Sequence, residues 1–355
     1  PESSTDQGLR YRKEALLTDA FLAIALDLKY GRINTRPDPE IIDSLAQEAL
    51  ENALSTKQIR EFLESQEPRH AQYQLLKYSL GEILNNVNSS DRKILLSGIT
   101  YNSVADHKRI QLVEVNMERW RSELTEFGDR YIWINIPAYH LRVVEGTRNV
   151  LESRIIVGNP DTPTPTLNSI VESISLYPYW RVPRKIAIEE LLPAIQQDTS
   201  YLRRHNFDVL DKNGAIRNPA TLEWKKFNKD YFPFSLRQRE GIGNSLGIIK
   251  FVFDNPYAVF LHDTNAKGLF RRDVRALSHG CIRMEKAVEL ARYLVPEPGA
   301  IAKRIEQRKQ TTLGVRRPIP IYIRYVTCEF MDDELKCYDD VYGLDHAIIK
   351  WLYSP

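Results

Sequence analysis

The pattern of apolar and polar positions changes period about a third of the way along the chain. Up to about residue 125 the apolar residues recur three or four apart, the spacing of one helix face. KEALLTDAFLAIALDLKYG shows it first and stops at Gly31, a residue suited to the left-handed backbone that ends many helices. Further amphipathic segments follow at PEIIDSLAQEALENAL, TKQIREFLES, AQYQLLKYSLGEILNNV and ADHKRIQLVEVNMERWRSEL. Nothing in them clusters Cys, His, Asp and Glu at ligand spacing, so they read as a helical scaffold. From Tyr131 the pattern alternates, with short strands at YIWINIP, YHLRVVEG and VLESRIIVG, a rigid loop NPDTPTPT, and a strand LNSIVESISLYP. Residues 184 to 240 interrupt the β pattern with a helix, KIAIEELLPAIQQD, and an aromatic, charged stretch ending FNKDYFPFSLRQRE. Strands resume at SLGIIKFVF and YAVFLHD, and EKAVELARYLV is a helix with Ala287, Leu290, Ala291, Leu294 and Val295 on one face. The expected class is α+β: a helical scaffold domain over 1-125 and a β-rich domain over 126-355 that carries a helical insertion at about 184-240.

Composition changes this picture little. A chain of 355 residues has room for two domains, and 43% hydrophobic with 27% charged residues is an ordinary globular balance. Forty-nine basic against 47 acidic residues leave +2, so no overall field points to nucleic acid. The basic clusters LFRRDVR and KRIEQRK are short and interrupted, as solvated faces are. No apolar run approaches the ~20 residues that span a bilayer. A start at Pro1 fits a mature form whose targeting segment has been removed, and fits a cloning boundary equally well.

Three cysteines define no disulfide framework. Cys328 and Cys337 flank EFMDDELK, and a two-residue turn at Asp332 and Asp333 would set them directly opposite each other. Such a pair can form a disulfide if it is a non-hydrogen-bonded one, and a disulfide and two free thiols both stay open. Cys281 is left over.

The setting of that odd thiol is the most informative part of the chain, LHDTNAKGLFRRDVRALSHGCIRM. A cysteine nucleophile needs a base, a fixed orientation of that base, and donors for the developing oxyanion. Cys281 is expected just ahead of a helix starting near Met284, whose dipole would favour thiolate. Gly280 permits close backbone approach, and the N–H groups of Gly280 and Cys281 are the candidate oxyanion donors. His262 closes the strand AVFL, and the connection from Thr264 to Leu277 is long enough to return the chain beside it. Against this stand two bland alternatives, an inert packed cysteine and a satisfied strand-end histidine. A zinc site from His262, Asp263, His279 and Cys281 lacks any C-x-x-C or H-E-x-x-H element, and GIGNSLG lacks both nucleotide-binding fingerprints. No metal and no cofactor are expected. A papain-like protease has its cysteine ahead of its histidine, the reverse of the order here.

Taken together, SHGC followed by Arg283, with a histidine about twenty residues upstream, resembles the signature of L,D-transpeptidases with a YkuD-type catalytic domain. LHDT and LF.RD.RALS.GC.R, preceded by NSLG..KF (Asn244 to Phe251) and W.VP (Trp180 to Pro183), are similar more narrowly to the large periplasmic YcbB-like class. The match runs in order from Tyr131 to Tyr342, and the N-terminal helices are compatible with that class's scaffold domain. The resemblance implies a catalytic domain whose insertion caps the substrate cleft. Cys281 would attack the L-to-D peptide bond of a peptidoglycan tetrapeptide stem, release D-alanine, and pass the acyl group to a diaminopimelate amine as a 3→3 cross-link. His262 would be the base, with its ring oriented by the Asp263 carbonyl. Gly280, Ser278, His279 and Arg283 would shape the oxyanion and donor site, with Asn244, Trp180 and Phe260 also binding substrate. The implied partners are donor and acceptor stem peptides, other cell-wall synthases and carbapenem inhibitors, with no nucleic acid, and the implied place is the periplasm.

Two departures from the class stand out. No glycine-rich peptidoglycan-binding module lies between EPRHAQYQLLKYSL and RIQLVEVNMERW, and Phe260 stands where a tyrosine is common. The insertion is expected to act as a mobile lid, its Tyr231, Phe232 and Phe234 excluding water and so favouring transfer. The competing readings are an L,D-carboxypeptidase, a lipoprotein-anchoring transpeptidase and, from a different class, a non-catalytic wall-binding scaffold.

Overall fold

The computed structural model describes residues 4–33, 37–56, 58–86, 107–123, 125–295, 297 and 299–353. The chain divides into two compact units, Pro1–Glu126 with Val326–Pro355, and Phe127–Tyr325. The first unit contains helices at Ser4–Tyr30, Pro39–Thr56, Ile59–Ser65, Ala71–Asn86 and His107–Arg121. Ala25, Leu45, Ala49 and Phe62 form a small core among the first three. Gly31 does end the first helix: its φ is +68° and its N–H bonds the Asp27 carbonyl at 3.0 Å. The stretch in which the sequence lacks a peptidoglycan-binding module lies largely outside the described residues.

The second unit is built on a nine-stranded sheet. Its strands are β1 (Arg130–Asn135), β2 (His140–Glu145), β3 (Arg148–Gly158), β4 (Leu167–Leu176), β9 (Ile249–Phe253), β10 (Leu261–His262), β11 (Ala276–Ser278), β12 (Ile282–Met284) and β13 (Thr311–Arg324). Their order is β11-β3-β12-β10-β9-β4-β13-β1-β2, and β2 also pairs with β3, so eight of them form a closed circuit. Closure leaves these strands no free edge, and the alternation along them buries one face: Ile132, Ile134, Ile174, Leu176, Ile249 and Phe251 are fully enclosed.

The insertion, expected to be helical, is a mixed subdomain with a sheet of its own. Strands β5 (Trp180–Arg181), β6 (Phe207–Leu210), β7 (Ile216–Arg217) and β8 (Ser235–Gln238) form a second sheet, order β5-β8-β6-β7. A helical run over 184–197 and a short helix Ser200–Arg204 accompany it. The run widens to π geometry at Ala187–Leu191, just before Pro193. Pro193 has no N–H for the Glu189 carbonyl and its ring would crowd that carbonyl, which a wider turn relieves. Phe232 belongs to the subdomain's own core beside Leu192, Ile195 and Trp224, and Phe234 packs against it.

The last thirty residues belong to the helical unit, whereas the sequence reading carried the β-rich domain to the end of the chain. Strands β14 (Cys328–Met331) and β15 (Glu334–Cys337) form a hairpin whose backbone is bonded by helix side chains. Gln72 both donates to the Phe330 carbonyl and accepts from its N–H, each at 2.8 Å. Asn116 accepts from the Thr327 N–H at 2.9 Å, and Arg119 pairs with buried Asp345 at 2.6 Å. These polar side chains look like ordinary helix-surface residues in sequence, so nothing in the pattern announces the return.

Candidate active site

Register places the chemistry. β10 lies between β9 and β12, with His262 opposite Lys250 on one side and Arg283 on the other. Residues directly opposite share a face, and positions two apart along a strand share it too. Cys281, two before Arg283, therefore shares the face of His262, next to Phe260, whose carbonyl accepts from the Ile282 N–H at 2.8 Å. On the other face Leu261, Ile282 and Phe251 are fully buried. One alternation thus builds core inward and a thiol, an imidazole and two cations outward.

His262 is buried, and its Nδ1 lies 2.5 Å from the Asp263 carbonyl. A carbonyl can only accept, so Nδ1 carries the hydrogen and Nε2 keeps its lone pair. Burial, then the charge of Arg283, hold the imidazole down at about 4, so it is neutral at pH 7 and ready to take a proton. The Asp263 carboxylate itself turns away, accepting from Lys267 and from the Ile248 N–H at 3.0 Å. Gly247 has φ +63°, and a Cβ there would collide with that carboxylate, which is why NSLG ends in glycine.

Burial pushes the Cys281 thiol up, against a backbone contact from Phe260 and the charges of Lys250 and Arg283. Both groups are therefore held toward their neutral forms, thiol and imidazole. The expected helix dipole is not there. Cys281 leads into strand β12, and the following helix starts only at Ala287. Its place as a stabiliser of the thiolate is taken by the two cations. Lys250 was not singled out by sequence; its ammonium sits 3.3 Å from the centroid of the Phe260 ring.

The turn that carries Cys281 is braced from both sides. Ser278 Oγ donates to the Cys281 carbonyl at 2.5 Å and accepts from the Gly280 N–H at 3.2 Å. Gly280 has φ +102°, a region closed to most side chains. The proline-rich loop after β3 supplies Thr164, whose Oγ1 donates to the Gly280 carbonyl at 2.9 Å and accepts from the Gly158 N–H at 2.8 Å. The Gly280 N–H is thus already engaged, a correction to its expected role as a free oxyanion donor. Among the described residues the Cys281 N–H makes no hydrogen bond, which leaves it as the turn's donor.

A cavity of about 500 Å³ opens over this face. Phe260, His262, Ser278, His279, Cys281 and Arg283 line it from the sheet, and Trp180, Glu190, Leu191 and Phe207 from the insertion and its entry strand. His279 Nε2 lies 2.6 Å from the Glu190 carboxylate. Among the described residues no group of three or more His, Cys, Asp and Glu is placed to hold a metal.

Residues 129–319 match the model of the L,D-transpeptidase catalytic domain, YkuD, and residues 2–80 match a scaffold domain. The chain belongs to the YkuD L,D-transpeptidase family. A Haemophilus influenzae relative named "Putative L,D-transpeptidase" is 35% identical over 228 residues, 62% of this chain and 46% of the relative. The chain thus spans about half the length of that relative. Among solved structures, the catalytic domain of an Enterococcus faecium L,D-transpeptidase acylated by ertapenem is 14% identical, covering 56% of this chain and 100% of that one, with a TM-score of 0.27. A Mycobacterium smegmatis L,D-transpeptidase is also 14% identical, covering 55% and 58%, with a TM-score of 0.26. The family assignment rests on the match over residues 129–319.

Two expectations about this family site need correction. Asn244 is buried away from the cavity: its amide donates to the Pro178 and Arg239 carbonyls at 3.1 and 2.8 Å and accepts from the Leu246 N–H at 2.8 Å. With donors and acceptor all engaged by backbone, it braces the loop before β9 and has nothing left for substrate. Phe232 and Phe234 pack into the insertion's own core and Tyr231 is exposed, and none of the three lines the cavity. The aromatic residues that the insertion and its entry strand bring to the cavity are Trp180, Tyr201 and Phe207 instead. Lys250 had a usable signal, as the one charge in IIKFVF at the alternation of the outward face. Glu190 had none, because its approach to His279 depends on how the insertion folds.

Proposed function

We propose that the protein is a peptidoglycan L,D-transpeptidase in which Cys281 is the acylated nucleophile. The observation that carries this is the neutral His262, locked by the Asp263 carbonyl, on the same sheet face as a thiol at the floor of a walled cavity. As sulfur attacks the L-to-D peptide carbonyl of a tetrapeptide stem, His262 Nε2 takes the thiol proton. The Cys281 N–H and the charge of Arg283 meet the developing oxyanion. Collapse breaks the C–N bond, His262 protonates the departing D-alanine amine, and a thioester remains. The side-chain amine of a diaminopimelate on a neighbouring stem then displaces sulfur and gives a 3→3 cross-link.

A carbapenem offers the same thiol a strained amide and is expected to acylate it, leaving slowly. The compartment that goes with such a substrate is the periplasm, reached after removal of a targeting segment, with other cell-wall synthases as partners. The test is incubation with a disaccharide-tetrapeptide and mass spectrometry of the products. Cross-linked dimers support transfer. Tripeptide alone would make the protein an L,D-carboxypeptidase, and unchanged tetrapeptide with an unmodified Cys281 would leave a wall-binding scaffold.

A further inference from the structure

The cavity over Cys281 is lined by two arginines, three histidines and a single carboxylate. Arg181 and Arg283 line it together with His205, His262 and His279, and Glu190 is the one carboxylate among its lining residues. Glu190 comes from the π turn at Ala187–Leu191 of the insertion and reaches His279, two residues from the nucleophile, at 2.6 Å. The pair is open to an incoming molecule, the two side chains being 48% and 43% exposed. A side-chain pair this exposed adds little to stability, so its place in the cleft calls for another account.

We infer that Glu190 is the docking group for the ammonium of the acyl acceptor, and that it decides transfer to an amine over loss to water. The inference rests on the transfer reading proposed above. Stem peptides bring carboxylates, which suit Arg181 and Arg283, but the acceptor's reacting group is an ammonium at neutral pH. The same arginines repel it. Glu190 is where a cation is stabilised within reach of a thioester on Cys281, joining or replacing His279 on the carboxylate. The ammonium gives one proton to Glu190, and the freed amine attacks the thioester carbonyl. The C–N bond forms as the C–S bond breaks, with the electron pair returning to sulfur. The second proton passes from nitrogen through His262 to Sγ, restoring thiol and neutral imidazole, and Glu190 releases the first proton to solvent. Water needs no such dock.

The experiment loads the enzyme with disaccharide-tetrapeptide and offers two acceptors, diaminopimelate, which is cationic at its amines, and hydroxylamine, which is uncharged at pH 7. Mass spectrometry reads the ratio of amide or hydroxamate to hydrolysed tripeptide. Glu190→Gln is expected to lower the ratio for diaminopimelate at least about tenfold more than for hydroxylamine, the weight of roughly one charge-assisted contact. Glu190→Asp, which keeps the charge, should retain an intermediate ratio, and circular dichroism checks that both variants fold. Equal losses for the two acceptors, or no loss, overturn the assignment while leaving transfer intact in the wild type. A wild type that forms tripeptide but no amide with either acceptor overturns the transfer reading itself, and the docking role with it.

Discussion

Cys281 and Cys328 are both placed by strand register, and register gives them opposite company. Cys281 has Phe260 beside it, with His262, Lys250 and Arg283 on the same face, so its neighbours are a base and two positive charges. Cys328 has Cys337 directly across a hairpin, and the two sulfurs lie 2.8 Å apart. Burial raises the thiol at both sites. At Cys281 cations oppose that rise, whereas at Cys328 the contact with Cys337 is the larger cause and burial adds to it. A thiol's chemistry is thus set by what stands on the facing strand as well as by how deeply it is buried. The first pairing suits attack on a carbonyl and the second suits a bond between the two sulfurs.

The largest effect that would sharpen the contrast is loss of the nucleophile. Cys281→Ala should abolish the covalent adduct with a carbapenem in intact-mass analysis, although Cys328 and Cys337 remain; an adduct persisting in the variant would remove the distinction between the sites. Next comes the base. His262→Ala should slow acylation roughly 10²–10⁴-fold in stopped-flow measurements, while His279→Ser, which changes a residue already engaged by Glu190, should cost less. The pH profile adds a sign. Because His262 is held down at about 4, its base form is full at pH 6 and is lost only as pH falls through about 4. Acylation should therefore persist through pH 5–6, where an imidazole of ordinary basicity, near 6.5, would already be mostly protonated. A limb falling near 6.5 would contradict the buried, neutral assignment.

A smaller effect tests the cations. Lys250→Met removes a charge that favours the Cys281 thiolate, so alkylation by iodoacetamide at pH 7 should slow about three- to tenfold. Lys250→Arg should slow it less, and equal rates in all three proteins would mean that Arg283 alone suffices. This residue also shows where sequence reading reached its limit. The strand alternation that ties His262 to Cys281 is local, so the α+β class and the candidate thiol and base were legible from residue type and spacing, while the Asp263 carbonyl came only with the family resemblance. Lys250 was legible in principle and was overlooked. The helix dipole was misplaced because IRM reads equally well as a helix start and as a three-residue strand. The insertion's sheet was hidden because β6 and β8 are four residues each, one buried throughout and the other partly polar, so neither shows a clean alternation. Glu190 and the return of the last thirty residues to the helical unit depend on contacts between distant segments, which no local pattern carries.

The smallest expected effect lies at the second thiol pair. The Tyr338 N–H bonds the Thr327 carbonyl at 2.8 Å, so the next pair inward, Cys328 and Cys337, is a non-hydrogen-bonded one, with the close side-chain approach a cross-strand disulfide needs. Asp332 and Asp333 have φ of +54° and +60°, the two-residue turn that sets this register. Both thiols are free here, Cys337 exposed and Cys328 buried. In an oxidising compartment the pair should close, and non-reducing peptide mapping of material matured there should recover the two cysteines in one linked peptide. The loop so closed is short, so the stabilisation should be at most about 2–3 kcal/mol. Calorimetry of the oxidised and reduced forms should accordingly show the transition of the helical unit moving by only a few degrees. Because the bond would lie in the unit without the nucleophile, carbapenem acylation of Cys281 should proceed at the same rate in both forms. Recovery of two free thiols from periplasmic material would break the contrast at its second term, leaving Cys328 as a packed residue that happens to face another sulfur.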